Sequence, residues 1–235
     1  MEATPQRPWI LRQRWHRLLF AHWPCDPVAV ARLLPAGLIL DTYDDAAWIG
    51  VIPFLITGLR ARWLPPVPFG HRFLELNVRT YVRRDDRPGV WFFSLDAASW
   101  PAVIGARVAY HLPYHRATMR ERVTEGVVSY SSMRRGGAAL FAGTYAPEGL
   151  AGESPAGSLA EWLTERYCLY AADSRGWLFR TDIAHQRWAL QPARATIAVN
   201  TMGAANSLAL AGEPLLHFAR HMDVRTWAPV RVTRH

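Results

Sequence analysis

The sequence predicts an α+β fold in which many short, mostly antiparallel strands outnumber a few short helices. Two apolar runs flank a turn-like stretch at residues 84–89, which is the signal of a β-hairpin. Stretches that suit helices are few, and no alternation of strand and helix suggests βαβ units. Half of the 235 residues are hydrophobic, so the chain can bury a sizeable core, and its length suits one large domain or two small ones.

Several elements are predicted before this hairpin. A strand at residues 9–23 is favoured because alternate residues would form one polar edge. Asp26 is placed to cap a short helix that begins with Pro27, a residue that suits the first helical position. The other elements are strands at 38–41 and 46–57 and a proline-rich loop at 60–71, whose length suits a lid or cavity rim.

The first strand of the hairpin has two faces of different chemistry. Because strand side chains alternate, one face is aliphatic and suits a core, whereas the other carries three polar groups between two aromatic rings. The first face comprises Leu74, Leu76, Val78, Thr80 and Val82, and the second comprises Phe73, Glu75, Asn77, Arg79 and Tyr81. We interpret the second face as the lining of a cavity.

Short helices and runs of strands are predicted after the hairpin. A helix at 101–109 is ended by a proline, so a loop there would direct Tyr114 and His115 into the cavity. The sequence SLAE suggests a capping box in which Ser158 begins a helix that runs to about residue 166. The remaining predicted elements are strands at 118–124, 127–134, 138–146, 168–172, 177–182, 188–199, 215–220 and 224–228, and a short helix at 202–207.

All 27 basic residues other than histidine are arginines, since the chain contains no lysine. Schiff-base chemistry on a lysine amine is therefore excluded, because arginine stays protonated and is not an amine nucleophile. The formal charge of +8 raises the question of nucleic-acid binding, but the arginines are scattered and no basic helix or tail stands out. We therefore do not expect nucleic acid as a partner.

Motifs for common cofactors and metals are missing from the sequence. There is no P-loop, no GxGxxG and no GxSxG, and we predict no cofactor. Two histidine pairs, His111 with His115 and His217 with His221, have the spacing of zinc-binding helices. They lack the HExxH glutamate and do not lie on predicted helix faces, so we predict no metal.

The cellular location is predicted from the absence of targeting features. No apolar run is long enough for a membrane span, and no signal-peptide core is present. Cys25 and Cys168 form no CxxC pair and are interpreted as free thiols. We therefore predict a cytoplasmic protein that has no membrane partner.

The strongest candidates for chemistry come from the second hairpin face and the segment after the helix. For Glu75 two interpretations remain open: a carboxylate on an exposed face paired with Arg79, or a partly buried acid whose pKa is set by desolvation and by Arg79. Tyr114 and His115 would either line the cavity or be a packed tyrosine and a surface histidine. The candidate catalytic residues are Glu75 and Tyr114, and the candidate ligand-binding residues are Arg79, Asn77, His115 and Arg107.

Several longer motifs resemble the YqjF-like family of uncharacterised bacterial proteins. In order they are FAHWP, LLPAGLILDTYD, AAWIGVIPF, FLELNVRTYV, VWFFSLDAAS, LPYHRATM, GSLAEWLTERYCLYA and IAHQRWALQPA, and they extend from about Trp15 to Ala193. That family is grouped by fold with the acetoacetate decarboxylase superfamily, whose members form a curved antiparallel β-cone around a buried cavity. The resemblance therefore implies an acetoacetate decarboxylase-like α+β fold, a β-cone or barrel around a central cavity with a few short covering helices. We accordingly predict a single domain of this type over residues 1–235.

The resemblance also implies where a decarboxylase site would lie. The decarboxylases form a Schiff base on a lysine that follows a proline, with a strand glutamate upstream. Here ARVAYHLPYHRA resembles that segment: Pro113 matches the proline, and Tyr114 falls at the lysine position. Glu75 resembles the upstream glutamate. The resemblance thus implies that the cavity is retained while the lysine chemistry is lost.

Together these features predict a protein that holds a small carbonyl or carboxylate compound, with Arg79 as the anchor for an anion. Glu75 would act as acid or base and Tyr114 as donor to a developing oxyanion, in lyase- or isomerase-like chemistry without a Schiff base. The alternative is a non-catalytic protein that binds or senses a small ligand in the same cavity. A third interpretation, a basic interaction protein, needs only the surface. The sequence does not determine the oligomeric state, and a homo-oligomer is one of the states compatible with it.

Overall fold

The computed structural model describes residues 5–66, 70–137 and 139–232. Its strands are β1 (Leu11–Cys25), β2 (Ile39–Leu40), β3 (Ala47–Ala61), β4 (Phe73–Arg84), β5 (Arg87–Ala97), β6 (Tyr114–Thr124), β7 (Val127–Arg134), β8 (Leu140–Pro147), β9 (Gly152–Glu153), β10 (Cys168–Ala172), β11 (Leu178–Ala184), β12 (Ala189–Asn200), β13 (Leu215–Thr226) and β14 (Val230–Arg231). Its helices are α1 (Pro27–Ala31), α2 (Trp100–Tyr110) and α3 (Leu159–Thr164), with a 3-10 turn at Ala204–Asn206. None of the helices in these ranges is long and apolar enough to cross a membrane.

The strands join into one sheet that closes on itself. The pairing order runs β14-β11-β10-β5-β6-β7-β8-β12-β13-β1-β3-β4-β2, and β9 pairs with β12. Two further pairings, β5 with β4 and β11 with β13, close this path into two rings that share β13, β1, β3, β4 and β5. The shared strands therefore have a ring interior on each of their two faces.

The strand β4 shows how the two ring interiors divide its side chains. Leu76 and Val78 are fully buried in an apolar cluster that also contains Tyr130 of β7. Phe73 and Tyr81 belong to different apolar clusters on the other face. The predicted alternation of β4 is confirmed, and both faces are buried. We call the region enclosed on the face of Phe73, Glu75, Asn77, Arg79 and Tyr81 the cone interior.

A β-bulge in β1 changes which of its residues face the cone interior. The register with β3 shifts between His16 and Ala21, and Arg17 adopts a φ of 51°. As a result Trp15 and Phe20, an odd and an even position, belong to the same apolar cluster. The uninterrupted alternation predicted for this strand is therefore wrong at Arg17, because a bulge residue resets the two-residue period.

Among the described residues two of the strand pairings are parallel, and the other pairings are antiparallel as predicted. β5 pairs in parallel with β6 and with β10. Parallel neighbours need a crossover connection, and α2 supplies it between β5 and β6. Because β6 begins at Tyr114, both Tyr114 and His115 lie on a strand, and the prediction of a loop at this point is wrong.

The remaining boundaries agree with the predictions apart from a few differences. The two strands predicted at 215–220 and 224–228 form the single strand β13. β3 extends to Ala61, into the loop predicted at 60–71, and residues 67–69 of that loop lie outside the described residues. Residue 138, the first of the predicted strand 138–146, lies outside them too. The short strands β9 and β14 were not predicted, because two residues carry no periodic signal.

The predicted caps at Asp26 and Ser158 are present, but the capping box at Ser158 is incomplete. The carboxylate of Asp26 accepts from a first-turn N–H of α1 at 2.9 Å, and Ser99 caps α2. The hydroxyl of Ser158 accepts from the N–H of Glu161 at 3.3 Å, as a capping box requires. Glu161 does not complete the box, because its carboxylate accepts instead from the N–H of Gly157 at 2.6 Å.

Candidate functional site

Glu75 and Tyr114 form a hydrogen-bonded pair in the cone interior. Glu75 lies near the start of β4, opposite Phe54 of β3 and Ala97 of β5, and is 3% exposed. The hydroxyl of Tyr114 donates to Oε2 of Glu75 at 2.7 Å. The hydroxyl of Tyr130 donates to the backbone carbonyl of Glu75 at 2.8 Å. Both the carboxyl group and the backbone of Glu75 are therefore held in place by tyrosine hydroxyls.

The end of α2 and the start of β6 bring Tyr114 to this position. After α2, His111 takes a left-handed conformation with a φ of 54°. Pro113 cannot extend the helical hydrogen bonding, and the following residue begins β6 opposite Leu95 of β5. Nε of Arg107 donates to the carbonyl of Tyr114 at 2.6 Å, which ties the first residue of β6 to α2.

Burial changes the acid–base properties of this pair. Removal from water raises the pKa of Glu75 from 4.5 to about 8, and the hydrogen bond from Tyr114 acts against this rise. Burial, followed by the charge of Glu75, raises the pKa of Tyr114 well above its usual value. Glu75 therefore exchanges its proton close to neutral pH, while Tyr114 remains a hydrogen-bond donor.

Arg79 shares the cone interior with Glu75 but does not pair with it. Its Nη2 donates to the hydroxyl of Tyr81 at 3.3 Å and to the carbonyl of Leu163 in α3 at 3.1 Å. Its guanidinium carbon lies 5.6 Å from the ring centre of Phe20, within cation–π range. Both Glu75 and Arg79 are buried. The interpretation of Glu75 as an exposed carboxylate paired with Arg79 is therefore wrong.

His22 belongs to the same interior, although we did not identify it from the sequence. Its Nε2 lies 2.6 Å from the hydroxyl of Tyr81, and its side chain is fully buried. Burial, and then the charge of Arg79, lower its pKa well below 6.5, so the imidazole is neutral. A Cβ on Gly50 would lie 3.0 Å from this Nε2, so the glycine leaves room for the ring. Gly50 stands among bulky residues of β3, which indicates that a large side chain packs against it. The sequence did not show that this side chain is His22, because the bulge in β1 shifts the alternation of its side chains.

The other three candidate residues occupy different places. Asn77 lies on the inner face of β4, is 5% exposed, and its Oδ1 has no hydrogen-bond partner among the described residues. His115 follows Tyr114 on β6 and so points to the opposite face; burial, then nearby arginines, lower its pKa to about 4. The expectation that a loop directs His115 into the cavity is therefore wrong. Arg107, a candidate ligand-binding residue, lies on the exposed surface of α2.

Two surface clefts lie beside the cone interior. One has a volume of about 910 Å³ and is lined in part by Tyr130. The other has a volume of about 590 Å³, and we call it the outer cleft; its lining includes Asp41, Arg83, Trp162 and Arg166. Neither cleft is lined by Glu75, Arg79 or Tyr114. The outer cleft meets the interior through Trp162, whose ring centre lies 4.7 Å from that of Tyr81.

The groups present in the interior limit its chemistry. Over the three described ranges, no cluster of His, Cys, Asp and Glu side chains suits a metal ion. No lysine exists anywhere in the chain. What the site offers is a carboxyl group that titrates near neutrality, a tyrosine donor and a buried guanidinium. Such a set can hold an anion and move a proton.

The closed β-cone defines the protein as a member of the acetoacetate decarboxylase-like class of folds. Acetoacetate decarboxylase from Legionella pneumophila matches with a TM-score of 0.67 and 13% identity, over 99% of this chain and 92% of that chain. The enduracididine biosynthesis enzyme MppR complexed with pyruvate matches with a TM-score of 0.68 and 12% identity, over 99% and 93% of the two chains. An acetoacetate decarboxylase-like enzyme from Sphingomonas wittichii RW1 matches with a TM-score of 0.64 and 17% identity, over 100% of this chain and 98% of that chain. At such identities the likeness establishes the fold.

The chain belongs to the DUF2071 family, described as an uncharacterized conserved protein, which it matches over residues 12–223. The uncharacterized protein YqjF of Bacillus subtilis (strain 168) is 45% identical over 231 residues, which are 97% of this chain and 95% of that protein. Both the resemblance to the YqjF-like family and the acetoacetate decarboxylase-like fold that it implied are confirmed.

Proposed function

We propose that the protein binds a small carbonyl or carboxylate compound in the cone interior and transfers a proton to or from it through the Glu75–Tyr114 pair. The observation that carries this proposal is the 2.7 Å hydrogen bond from a tyrosine hydroxyl to a carboxyl group that is 3% exposed. A carboxyl whose pKa rises to about 8 on burial costs stability at neutral pH. Such groups concentrate at functional sites, where the shifted pKa serves proton transfer.

Each group of the pair has a role that its chemistry supports. In its ionised form Glu75 removes a proton from the carbon next to a carbonyl group, and in its neutral form it returns that proton to carbon or oxygen. The single hydroxyl hydrogen of Tyr114 bonds to Glu75 while the carboxylate is ionised. Once Glu75 has taken up a proton, the hydroxyl is released to donate to the oxygen on which negative charge develops. Arg79 attracts the carboxylate of the ligand, since a guanidinium suits planar anions. The products of such proton transfers are enols and isomers.

The names of the structural neighbours support small oxo acids as the ligand class. One is a decarboxylase of acetoacetate, and MppR is complexed with pyruvate. The mechanism must nevertheless differ from a lysine-dependent one, because the chain has no lysine and carries Tyr114 where the resemblance places it. The proposal therefore uses proton transfer and charge stabilisation alone.

A second candidate function is binding or sensing without turnover. The observation that favours it is the absence of any lysine beside Glu75, which removes the amine nucleophile from an otherwise similar fold. For either function we propose a cytoplasmic location, because Cys25 and Cys168 lie far apart in the sequence and form no CxxC pair.

The two candidates are separated by hydrogen–deuterium exchange at carbon. The protein is titrated with pyruvate and with acetoacetate by calorimetry, and NMR in deuterated water follows exchange of the protons next to the carbonyl group. Exchange that Glu75→Gln abolishes while binding persists supports the catalytic proposal. Binding without exchange supports the second candidate. If neither pyruvate nor acetoacetate binds, both candidate functions are contradicted.

A further inference from the structure

Three polar side chains surround the buried ring of Tyr81. The guanidinium carbons of Arg79 and Arg166 lie 5.5 and 5.1 Å from the centre of this ring. The imidazole of His22 approaches the hydroxyl of Tyr81 at 2.6 Å. Arg166 also lies 4.4 Å from the ring centre of Trp162, at the wall of the outer cleft. Two cationic groups therefore share one aromatic ring inside the protein.

The charges of the two arginines are compensated unequally. Arg166 pairs with Asp41 through Nη1 at 2.7 Å. The hydrogen bonds of Arg79 go to the neutral oxygen atoms of Tyr81 and Leu163, and in the described part of the chain no carboxylate pairs with it. Arg79 and Arg166 are only 9% and 7% exposed. A buried charge without a partner destabilises a protein. With two guanidiniums and one carboxylate, this group has one positive charge that no negative charge compensates.

Three nitrogen atoms of the same group also lack acceptors. Nε of Arg79, Nη2 of Arg166 and Nδ1 of His22 are buried and have no hydrogen-bond partner among the described residues. Because Arg79 donates to the oxygen of Tyr81, the hydroxyl is free to donate to Nε2 of His22. The neutral imidazole then carries its hydrogen on Nδ1. All three nitrogens are donors, so the group requires an acceptor.

The outer cleft reaches one member of this group, Arg166, which lines it together with Trp162. With a volume of about 590 Å³, it has room for a small molecule beside Arg166. Two of its acidic side chains are already engaged: Glu161 pairs with Arg187 at 2.8 Å, and Glu165 accepts from a backbone N–H at 2.8 Å. These carboxylates therefore oppose the approach of an anion less than free ones would.

We propose that Arg79 and Arg166 together form a monocarboxylate-binding site around Tyr81 that opens to the outer cleft. The inference rests on the proposed function, in which Arg79 is the anchor, and it adds the second arginine, the entrance and the charge of the ligand. One negative charge balances two guanidiniums and Asp41, whereas a doubly charged phosphate would overcompensate them. The planar fork of each guanidinium matches the geometry of a carboxylate.

Calorimetric titration of the full chain with sodium pyruvate tests this site, with methyl pyruvate and inorganic phosphate as comparison probes. We expect pyruvate to bind more tightly than either comparison probe. Arg166→Gln should weaken pyruvate binding by about tenfold or more, because hydrogen bonds to a charged group are lost. Arg220→Gln is the matched control, since it removes an exposed arginine of β13 that does not line the outer cleft and should leave the affinity within about twofold.

Asp41→Asn distinguishes ligand binding by Arg166 from a purely structural role. Without the competing carboxylate both guanidiniums face the ligand, so pyruvate affinity should rise severalfold. Unchanged affinity in Arg166→Gln, unchanged or lower affinity in Asp41→Asn, or tighter binding of phosphate than of pyruvate would overturn the inference. Glu75→Gln should keep pyruvate binding and abolish deuterium exchange. Exchange that survives Glu75→Gln overturns the proposed role of Glu75 and leaves the two-arginine site standing.

Discussion

The hydroxyl of Tyr114 donates a 2.7 Å hydrogen bond to the carboxyl group of Glu75, 39 residues earlier in the chain. The two residues lie on β6 and β4, and β5 runs between these strands. Tyr114 is opposite Leu95, and Leu95 is opposite Asn77, so the tyrosine reaches diagonally to Glu75. The bond therefore depends on the parallel register of β5 and β6, which the crossover through α2 sets.

Glu75→Gln should change the pH dependence of stability in a defined direction. Burial raises the folded pKa of Glu75 from 4.5 to about 8, so the folded protein holds this proton longer than the unfolded chain. The contribution of Glu75 to the free energy of unfolding is therefore fully present below its pKa in the unfolded chain. It is lost as pH rises toward its pKa in the folded protein. Relative to Glu75→Gln, the wild type should lose on the order of 1.4 kcal/mol per pH unit over this interval.

Urea unfolding of both proteins between pH 5 and pH 8 measures this difference. Glu161→Gln is a matched control, because a backbone N–H and Arg187 lower the pKa of Glu161. The stability that Glu161 contributes is lost only as pH falls through the acid range. The free energy of unfolding of Glu161→Gln should therefore differ from that of the wild type by a constant amount between pH 5 and pH 8. A flat difference for Glu75→Gln as well would mean that Glu75 is ionised in the folded protein at neutral pH.

Tyr114→Phe should raise the pKa of Glu75 further and lower the free energy of unfolding. The hydrogen bond from Tyr114 favours the ionised carboxylate, so its removal favours the neutral form. The loss of a donor to a buried group should cost about 1–3 kcal/mol. The pKa can be followed by NMR of carboxyl carbons in protein labelled at glutamate.

Tyr110→Phe is the control for this experiment. Tyr110 is buried, and its hydroxyl lies 3.2 Å from Oγ1 of Thr226, so its removal deletes a buried hydroxyl without touching Glu75. It should leave the pKa of Glu75 unchanged. An equal shift of the Glu75 pKa in both variants would show that the Tyr114 hydrogen bond has no specific influence on it.

Borohydride reduction in the presence of pyruvate should yield no adduct on the folded chain. An amine and a ketone form an imine with loss of water, and borohydride reduces the imine to a stable secondary amine, but the chain has no lysine. The remaining primary amine is that of Met1, outside the described residues, so peptide mapping must accompany intact mass measurement. An adduct mapped to any other residue would contradict the expectation.

Tyr114→Lys should gain the reactivity that the natural chain lacks. A lysine after Pro113 would lie in an apolar interior beside Glu75, where burial favours the neutral, nucleophilic amine. Reduction with borohydride and pyruvate should then add one reduced pyruvyl group at this position. If the folded variant gives no adduct there, Tyr114 does not occupy the position of the decarboxylase lysine in space.

Gly50→Ala should destabilise the protein by displacing His22. The added Cβ would meet Nε2 and Cδ2 of His22 at 3.0 and 3.1 Å, and a tightly packed interior resists such insertion at a cost of about 1–3 kcal/mol. Gly105→Ala is the control: no atom lies within 4 Å of its added Cβ, and alanine suits the interior of α2, so stability should rise by up to about 1 kcal/mol. Equal urea midpoints for Gly50→Ala and wild type would exclude a tight contact at His22.

The sequence by itself determined the local features of this fold. The alternation along β4 identified the face that carries Glu75 and Arg79, because side-chain direction in a strand has a fixed period of two. The caps at Asp26 and Ser158 were predictable since a cap involves neighbouring residues only. The absence of lysine excluded one mechanism outright.

Only the tertiary structure decided how these features combine. The register of β5 and β6 brought Tyr114 to Glu75, and ring closure buried both faces of β4. The bulge at Arg17 turned His22 inward, against simple alternation. Arg79 reached Tyr81 and Leu163 rather than Glu75, because its partners come from the fold. Such contacts join residues far apart in the chain, and periodicity specifies only the face of a strand, not what packs against it.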